Sequence, residues 1–121
     1  MENCYYCNKD EKSFLIENEL AAGFYDESPS SPGHFLVITK RHVPDFFELT
    51  PEEHSAVSEL LVQAKKLVDR EFQPAAYNIG ANCGTAAGQS VRHAHLHLIP
   101  RYEGDVQNPK GGIRNILPKQ P

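Results

Sequence analysis

Between residues 51 and 71, apolar side chains return every three or four positions. Val57, Leu60, Leu61, Ala64, Leu67 and Val68 make one stripe with charged residues between them. The spacing predicts a helix over Pro51–Glu71. Thr50-Pro-Glu-Glu53 reads as a capping box with proline at the first helical position. Glu52 and Glu53 at the start, and Lys65, Lys66 and Arg70 near the end, suit the helix dipole. Pro74 stops the helix. Such a helix is ~30 Å long and has one face to cover a sheet.

The remaining apolar runs are short. Phe14–Ile16 and Leu20–Tyr25 read as a hairpin around Glu17-Asn18-Glu19. His34–Thr39 is a third strand, Ala76–Gly80 a fourth and His93–Pro100 a fifth. The order ββ, β, α, ββ predicts an α+β fold: a five-stranded antiparallel sheet with one long helix on a face. A loop with three glycines, Gly80, Gly84 and Gly88, leads into the fifth strand. From Gly104 onward, Pro109, Gly111, Gly112, Pro118 and Pro121 predict an irregular tail over 104–121 of a single domain spanning 1–121.

Composition narrows the class. Hydrophobic residues are 40% and charged residues 23%, as in an ordinary soluble domain. No apolar run is long enough to span a bilayer and no leader-like segment opens the chain, so the expected location is cytoplasmic, without membrane attachment. The net charge of −4 argues against a nucleic-acid partner. Arg101, Lys110, Arg114 and Lys119 against Glu103 and Asp105 make the tail mildly basic, which suits an anionic ligand as well as a solvated surface.

The candidate chemistry lies in the fifth strand. His93, His95 and His97 alternate with Ala94, Leu96 and Leu98, so a strand places the three imidazoles on one face. One metal ion held by all three is geometrically poor. Positions i and i+4 are ~13 Å apart along a strand, whereas zinc needs its nitrogens at ~2.1 Å. The competing chemistry is nucleophilic catalysis at phosphorus, with the preceding Gly88-Gln89-Ser90 loop offering amides and a hydroxyl to a phosphate. Cys4 and Cys7 form a C-x-x-C pair and Cys83 stands alone, an odd count that disfavours a disulfide scaffold. The pair fits half a zinc site better than a redox motif, because no strand precedes it. Cys83 reads as a bystander and His54 as a surface residue of the helix.

Gly88-Gln89-Ser90 followed by His93-x-His95-x-His97 and two hydrophobic residues resembles the histidine triad (HIT) nucleotide hydrolases and transferases. The likeness runs from Cys4 to Arg101. It takes in Asp26, eight residues before His34 in the Phe24-Tyr-Asp…Gly-His-Phe-Leu-Val-Ile-Thr-Lys segment, and Asn82. The resemblance implies that His95 attacks the α-phosphorus of a purine nucleotide and forms a nucleotidyl-histidine, which water hydrolyses. Ser90 contacts the leaving group or a phosphate oxygen, His97 stabilises the phosphate and His34 supports the cluster. Asp26 takes the ribose hydroxyls. Asn82 and Gln89 are further nucleotide contacts, and Phe24 and Leu36 are candidates for the base pocket, with plain core an equal reading of Phe24.

The same resemblance, to members with C-x-x-C near the N-terminus, implies a structural zinc held by Cys4, Cys7, His42 and His93. It also implies a short N-terminal helix and a homodimer. An open sheet edge and a helix stripe wider than a small sheet needs agree with the dimer. The alternative to an enzyme is a nucleotide-binding scaffold that keeps the fold without turnover. The presence of His95, His97, His34 and Ser90 together favours the enzyme.

Overall fold

A computed structural model describes residues 3–117. Five strands form one antiparallel sheet: β1 (Ile16–Glu17), β2 (Ala21–Tyr25), β3 (Phe35–Thr39), β4 (Ala76–Gly80) and β5 (His95–Arg101), in the order β1-β2-β3-β5-β4. One helix, α1 (Pro51–Phe72), crosses one face. The α+β class and the five antiparallel strands expected from the sequence are thus observed.

The helix forms where its caps and stripe place it. Thr50 Oγ1 accepts from the Glu53 amide, the Glu53 carboxylate accepts from the Thr50 amide, and the helix ends at Gln73 in the left-handed conformation. Val57, Leu60, Ala64 and Val68 are buried against Phe35, Val37, Leu96 and Leu98 of the sheet. Val57, Leu60 and Val68 each contribute ~1.5–3 kcal/mol by this burial. Glu53 has a second task. It is only 3% exposed, and Arg41 reaches it with Nε at 3.0 Å and Nη2 at 2.7 Å. That forked contact ties the helix start to the segment just after β3, which carries His42.

Element boundaries differ from the sequence reading in ways that matter locally. The first hairpin is shorter: only Ile16 and Glu17 pair as a strand, opposite Gly23 and Ala22. Its turn is organised by Asn18, whose Oδ1 accepts from the amides of Leu20 and Ala21 and whose Nδ2 donates to the Ala56 carbonyl on α1. The short N-terminal helix is a 3-10 turn, Glu11–Ser13. The tail contains another, Gly112–Ile116, and its last four residues lie outside the described part. β5 begins at His95, not His93, because the backbone before it leaves the ladder: the Ala94 amide donates to Val43 O at 2.8 Å.

The face away from α1 carries the histidines. Register aligns Phe24, Leu36, His97 and Gly80 in one row across four strands, and Ala22, Ile38 and His95 in the next. Tyr6 packs over this face with Ala22, Phe24, Leu36 and Ile38. Gly33 positions His34: its φ is +87° and an added Cβ would lie 2.9 Å from the Phe72 ring, so only glycine lets the chain enter β3 here.

Candidate functional site

The tautomers of four histidines are set by their neighbours. Burial pushes the pKa of His34, His93 and His95 below the ordinary histidine value, and burial, with His95 and His34 nearby, takes His97 down to about 4. All four are therefore neutral near pH 7, each with one donor and one acceptor nitrogen. The His95 Nδ1 lies 2.8 Å from the His93 carbonyl oxygen. A carbonyl only accepts, so the His95 proton sits on Nδ1 and Nε2 keeps its lone pair.

His34 and His97 form a relay. The Ser30 amide donates to His34 Nδ1 at 3.0 Å, which leaves the His34 proton on Nε2. That nitrogen donates to His97 Nδ1 at 2.9 Å, so the His97 proton sits on Nε2. Asp26 Oδ2 is 3.6 Å from His34 Nε2 and adds negative potential beside the relay. The His95 and His97 rings are adjacent, with centroids 5.1 Å apart. One face of the sheet therefore presents a lone pair on His95 beside an N–H donor on His97, which is what attack on a phosphoryl group and stabilisation of its oxygens require.

His93 does something else. Its Nε2 donates to Thr39 O at 2.6 Å, which frees Nδ1 to face Cys4 Sγ at 3.4 Å and Cys7 Sγ at 3.5 Å. His42 Nδ1 is 3.2 Å from Cys7 Sγ. The four ligand atoms of Cys4, Cys7, His42 and His93 lie within 4.8 Å of one another. Tetrahedral zinc with Zn–S ~2.3 Å and Zn–N ~2.05 Å sets ligand atoms ~3.3–3.8 Å apart, close to the spacing observed. The donor set and the free lone pair of His93 Nδ1 fit a structural zinc ion.

The other residues singled out from the sequence fall into four groups. Asn82 joins His34 and His97 around a cavity of about 340 Å³, walled by Ile79, Ile99, Ile113 and Ile116. Ser90 is exposed and lines a separate cavity of about 540 Å³ on the His42 side, so the structure does not group it with the His34–His97 pair. Gln89, Phe24 and Leu36 are buried. The Gln89 amide is engaged on both sides: Nε2 donates to the carbonyls of Pro44 and Val91, and Oε1 accepts from the Gly84 amide. It braces the glycine loop with both Nε2 hydrogens, and Oε1 keeps a second lone pair. His54 is half-buried against the Phe46 ring, 4.7 Å between centroids, and not a plain surface residue.

Three residues near the site were not picked out from the sequence. Tyr6 stands edge-on to His95, Lys9 lies over Phe24, and Glu27 pairs with Lys9. The signal available for Tyr6 was its place between Cys4 and Cys7, whose thiols face His93 and His42. Lys9 and Glu27 carried no comparable signal.

The model of the HIT domain matches residues 8–104. An uncharacterized 16.1 kDa HIT-like protein of Mycoplasma pneumoniae is 40% identical over 105 residues, covering 84% of this chain and 73% of that protein. The asymmetrical bis(5'-nucleosyl)-tetraphosphatase of Schizosaccharomyces pombe is 39% identical over 91 residues, covering 75% of this chain and 50% of that protein. The crystal structure of a HIT family protein from Bacillus anthracis superposes with a TM-score of 0.78 at 40% identity, covering 84% of this chain and 74% of that one.

Proposed function

Because the chain belongs to the HIT domain family, we propose that it is a nucleotide hydrolase or nucleotidyl transferase acting at the α-phosphate of a nucleoside phosphoramidate or dinucleoside polyphosphate. The observation that carries this reading is the state of His95: Nδ1–H is fixed on the His93 carbonyl and Nε2 is an unprotonated nucleophile. The names of relatives, such as the tetraphosphatase of Schizosaccharomyces pombe, support the substrate class.

In this reading His95 Nε2 attacks the α-phosphorus of a purine nucleotide. The bond from phosphorus to the leaving nitrogen or oxygen breaks with its electron pair, and the leaving group takes a proton from water. Water then cleaves the nucleotidyl–Nε2 bond, giving the nucleoside monophosphate and restoring His95. His97 donates its Nε2–H to a phosphate oxygen, and His34 holds His97 in that tautomer. Asp26 takes the ribose hydroxyls, Asn82 is a second nucleotide contact, and Ser90 contacts the leaving group or a phosphate oxygen. Cys4, Cys7, His42 and His93 hold a structural zinc that pins the N-terminal loop to the sheet and takes no part in the reaction. None of Cys4, Cys7 and Cys83 is in a disulfide, which suits the reducing cytoplasm.

We assign a homodimer as the working unit. β4 is a sheet edge, with Ile79 on it 48% exposed, and a second copy covers such an edge most simply. Light scattering at micromolar concentration should give twice the chain's 13.6 kDa, and a fully active monomer overturns this assignment.

Intact-mass spectrometry after mixing with a nucleoside phosphoramidate tests the chemistry. The expected result is a nucleotidyl adduct that is absent from His95→Asn. Tight nucleotide binding with neither adduct nor turnover points instead to the scaffold reading.

A further inference from the structure

A second cluster gathers around Glu27, the residue after Asp26. The Lys9 ammonium lies 4.3 Å from the centroid of the Phe24 ring. It covers the face on which a base would stack, and Tyr6 and Phe14 pack around the same ring, with centroids 5.9 Å and 6.0 Å away. Phe24 is thereby left 3% exposed, so a base arriving at this end of the sheet meets Lys9 rather than a bare aromatic ring. Lys9 Nζ also contacts Glu27 Oε1 at 3.3 Å, and the Tyr5 hydroxyl donates to Glu27 Oε2.

The cluster is anchored at one end and open at the other. The Lys9 side chain is 10% exposed and that of Glu27 69%. Hydrogen bonds from Tyr5 and Lys9 hold the Glu27 carboxyl below the usual carboxylate range, so it is ionised at neutral pH. Tyr5, Lys9 and Glu27 together line a cavity of about 570 Å³ with Asn3, Asp10 and Ser13. Glu27 directly follows Asp26. Asp26 turns toward His34, and Glu27 turns toward the N-terminal loop. The cluster therefore adjoins the residue proposed above to take the ribose.

Resting on the nucleotide reading above, we infer that Glu27, Lys9 and Tyr5 read the edge of the base and select guanine over adenine. A carboxylate only accepts and an ammonium only donates. Guanine offers the complement: the N1–H and the N2 amino group donate side by side next to the O6 acceptor. Adenine places an unprotonated N1 where the carboxylate needs a donor, and the two lone pairs repel. The roles are those of specificity residues; none touches the phosphorus.

Steady-state kinetics with guanosine and adenosine 5'-phosphoramidates, and calorimetric binding of GMP and AMP, test this on the wild-type protein and on Glu27→Gln. The wild type should prefer guanosine by about tenfold or more in kcat/KM, with the difference in KM. Glu27→Gln should remove the preference by weakening guanosine while adenosine is unchanged or improved, since an amide can also donate to adenine N1. The inosine analogue, which lacks the N2 amino group, should fall between them. Equal handling of both bases by the wild type, or equal losses for both in Glu27→Gln, overturns the inference and leaves the hydrolase reading standing. A GMP preference that depends on Glu27, without turnover, supports the inference and removes the hydrolase reading. Binding of neither nucleotide removes both.

Discussion

The ring of Tyr6 meets the ring of His95 edge-on, with centroids 5.1 Å apart and planes at 72°, and it meets His93 in the same manner at 5.9 Å. One aromatic side chain thus touches both the proposed nucleophile and a proposed metal ligand. It is carried on the short loop between Cys4 and Cys7. The roof over His95 is therefore only as firm as the attachment of that loop.

Removing the metal should loosen the roof. Freshly purified protein is expected to contain one zinc per chain. Chelation, or Cys4→Ser, should cost several kcal/mol, about 10 °C or more in Tm. Elemental analysis and thermal melts with and without chelator check this. Substoichiometric zinc in fully reduced protein whose Tm ignores the chelator counts against the site.

The tautomer assignments separate His95 from His97. His95→Asn loses the only proposed nucleophile, and its kcat should drop by at least about 10⁴-fold while nucleotide binding persists. His97→Ala loses a donor to the phosphate, with an expected loss of about 10²–10³-fold. Single-turnover assays with a phosphoramidate measure both. Equal residual rates would show that the roles are misassigned.

Stability should fall in mild acid. In the folded chain His97 takes up a proton only at about pH 4, whereas its ordinary value is 6.5. Between those values the unfolded chain binds a proton that the folded chain refuses, so stability declines as pH drops from about 6.5 to about 4 and levels off below. The contribution between pH 7 and pH 5 is at most about 2 kcal/mol before solvent screening of this half-buried ring. Urea denaturation at pH 7 and pH 5 should show the decline, and His97→Gln should lessen it. An unchanged pH dependence in the variant rules out this source.

Tyr25 offers a gain in stability. Its hydroxyl is buried without a hydrogen-bond partner, while its ring packs edge-on against Phe35 and Phe72. Tyr25→Phe keeps those ring contacts and removes a desolvated polar group, so it should stabilise the chain by ~1 kcal/mol. Destabilisation in urea titrations would mean that the hydroxyl finds a partner in solution.

Much of this was legible in the sequence where short-range rules apply. The capping box, the stripe from Val57 to Val68 and the His95/His97 alternation each depend on neighbours within a few positions, and each folds as its spacing requires. Cys4, Cys7, His42 and His93 converge although they are far apart in the chain; no spacing dictated that, and family resemblance supplied it. What stayed hidden depends on loops meeting loops. Gln89 sits in a glycine-rich loop that reads as ligand-binding, and its amide also braces that loop through Pro44, Val91 and Gly84. His93 reads as part of a strand, but the pairing of Ala94 with Val43 pulls it out of the ladder. Arg41 and Glu53 each look like surface charges until the end of β3 is folded against the helix.

The pairing of β3 with β5 sets Leu36 opposite His97 and Ile38 opposite His95. Side chains alternate along a strand, so sliding β5 by a single residue would thrust both imidazoles into the layer under α1 and expel Leu96 and Leu98 to the other side. That arrangement strands polar nitrogens among aliphatic carbons and strips the helix of its cover at the same time. Folding and chemistry are thus checked by one alignment: a chain that reaches a well-packed state has already placed its two histidines, and a chain that misplaces them has no stable state in which to persist.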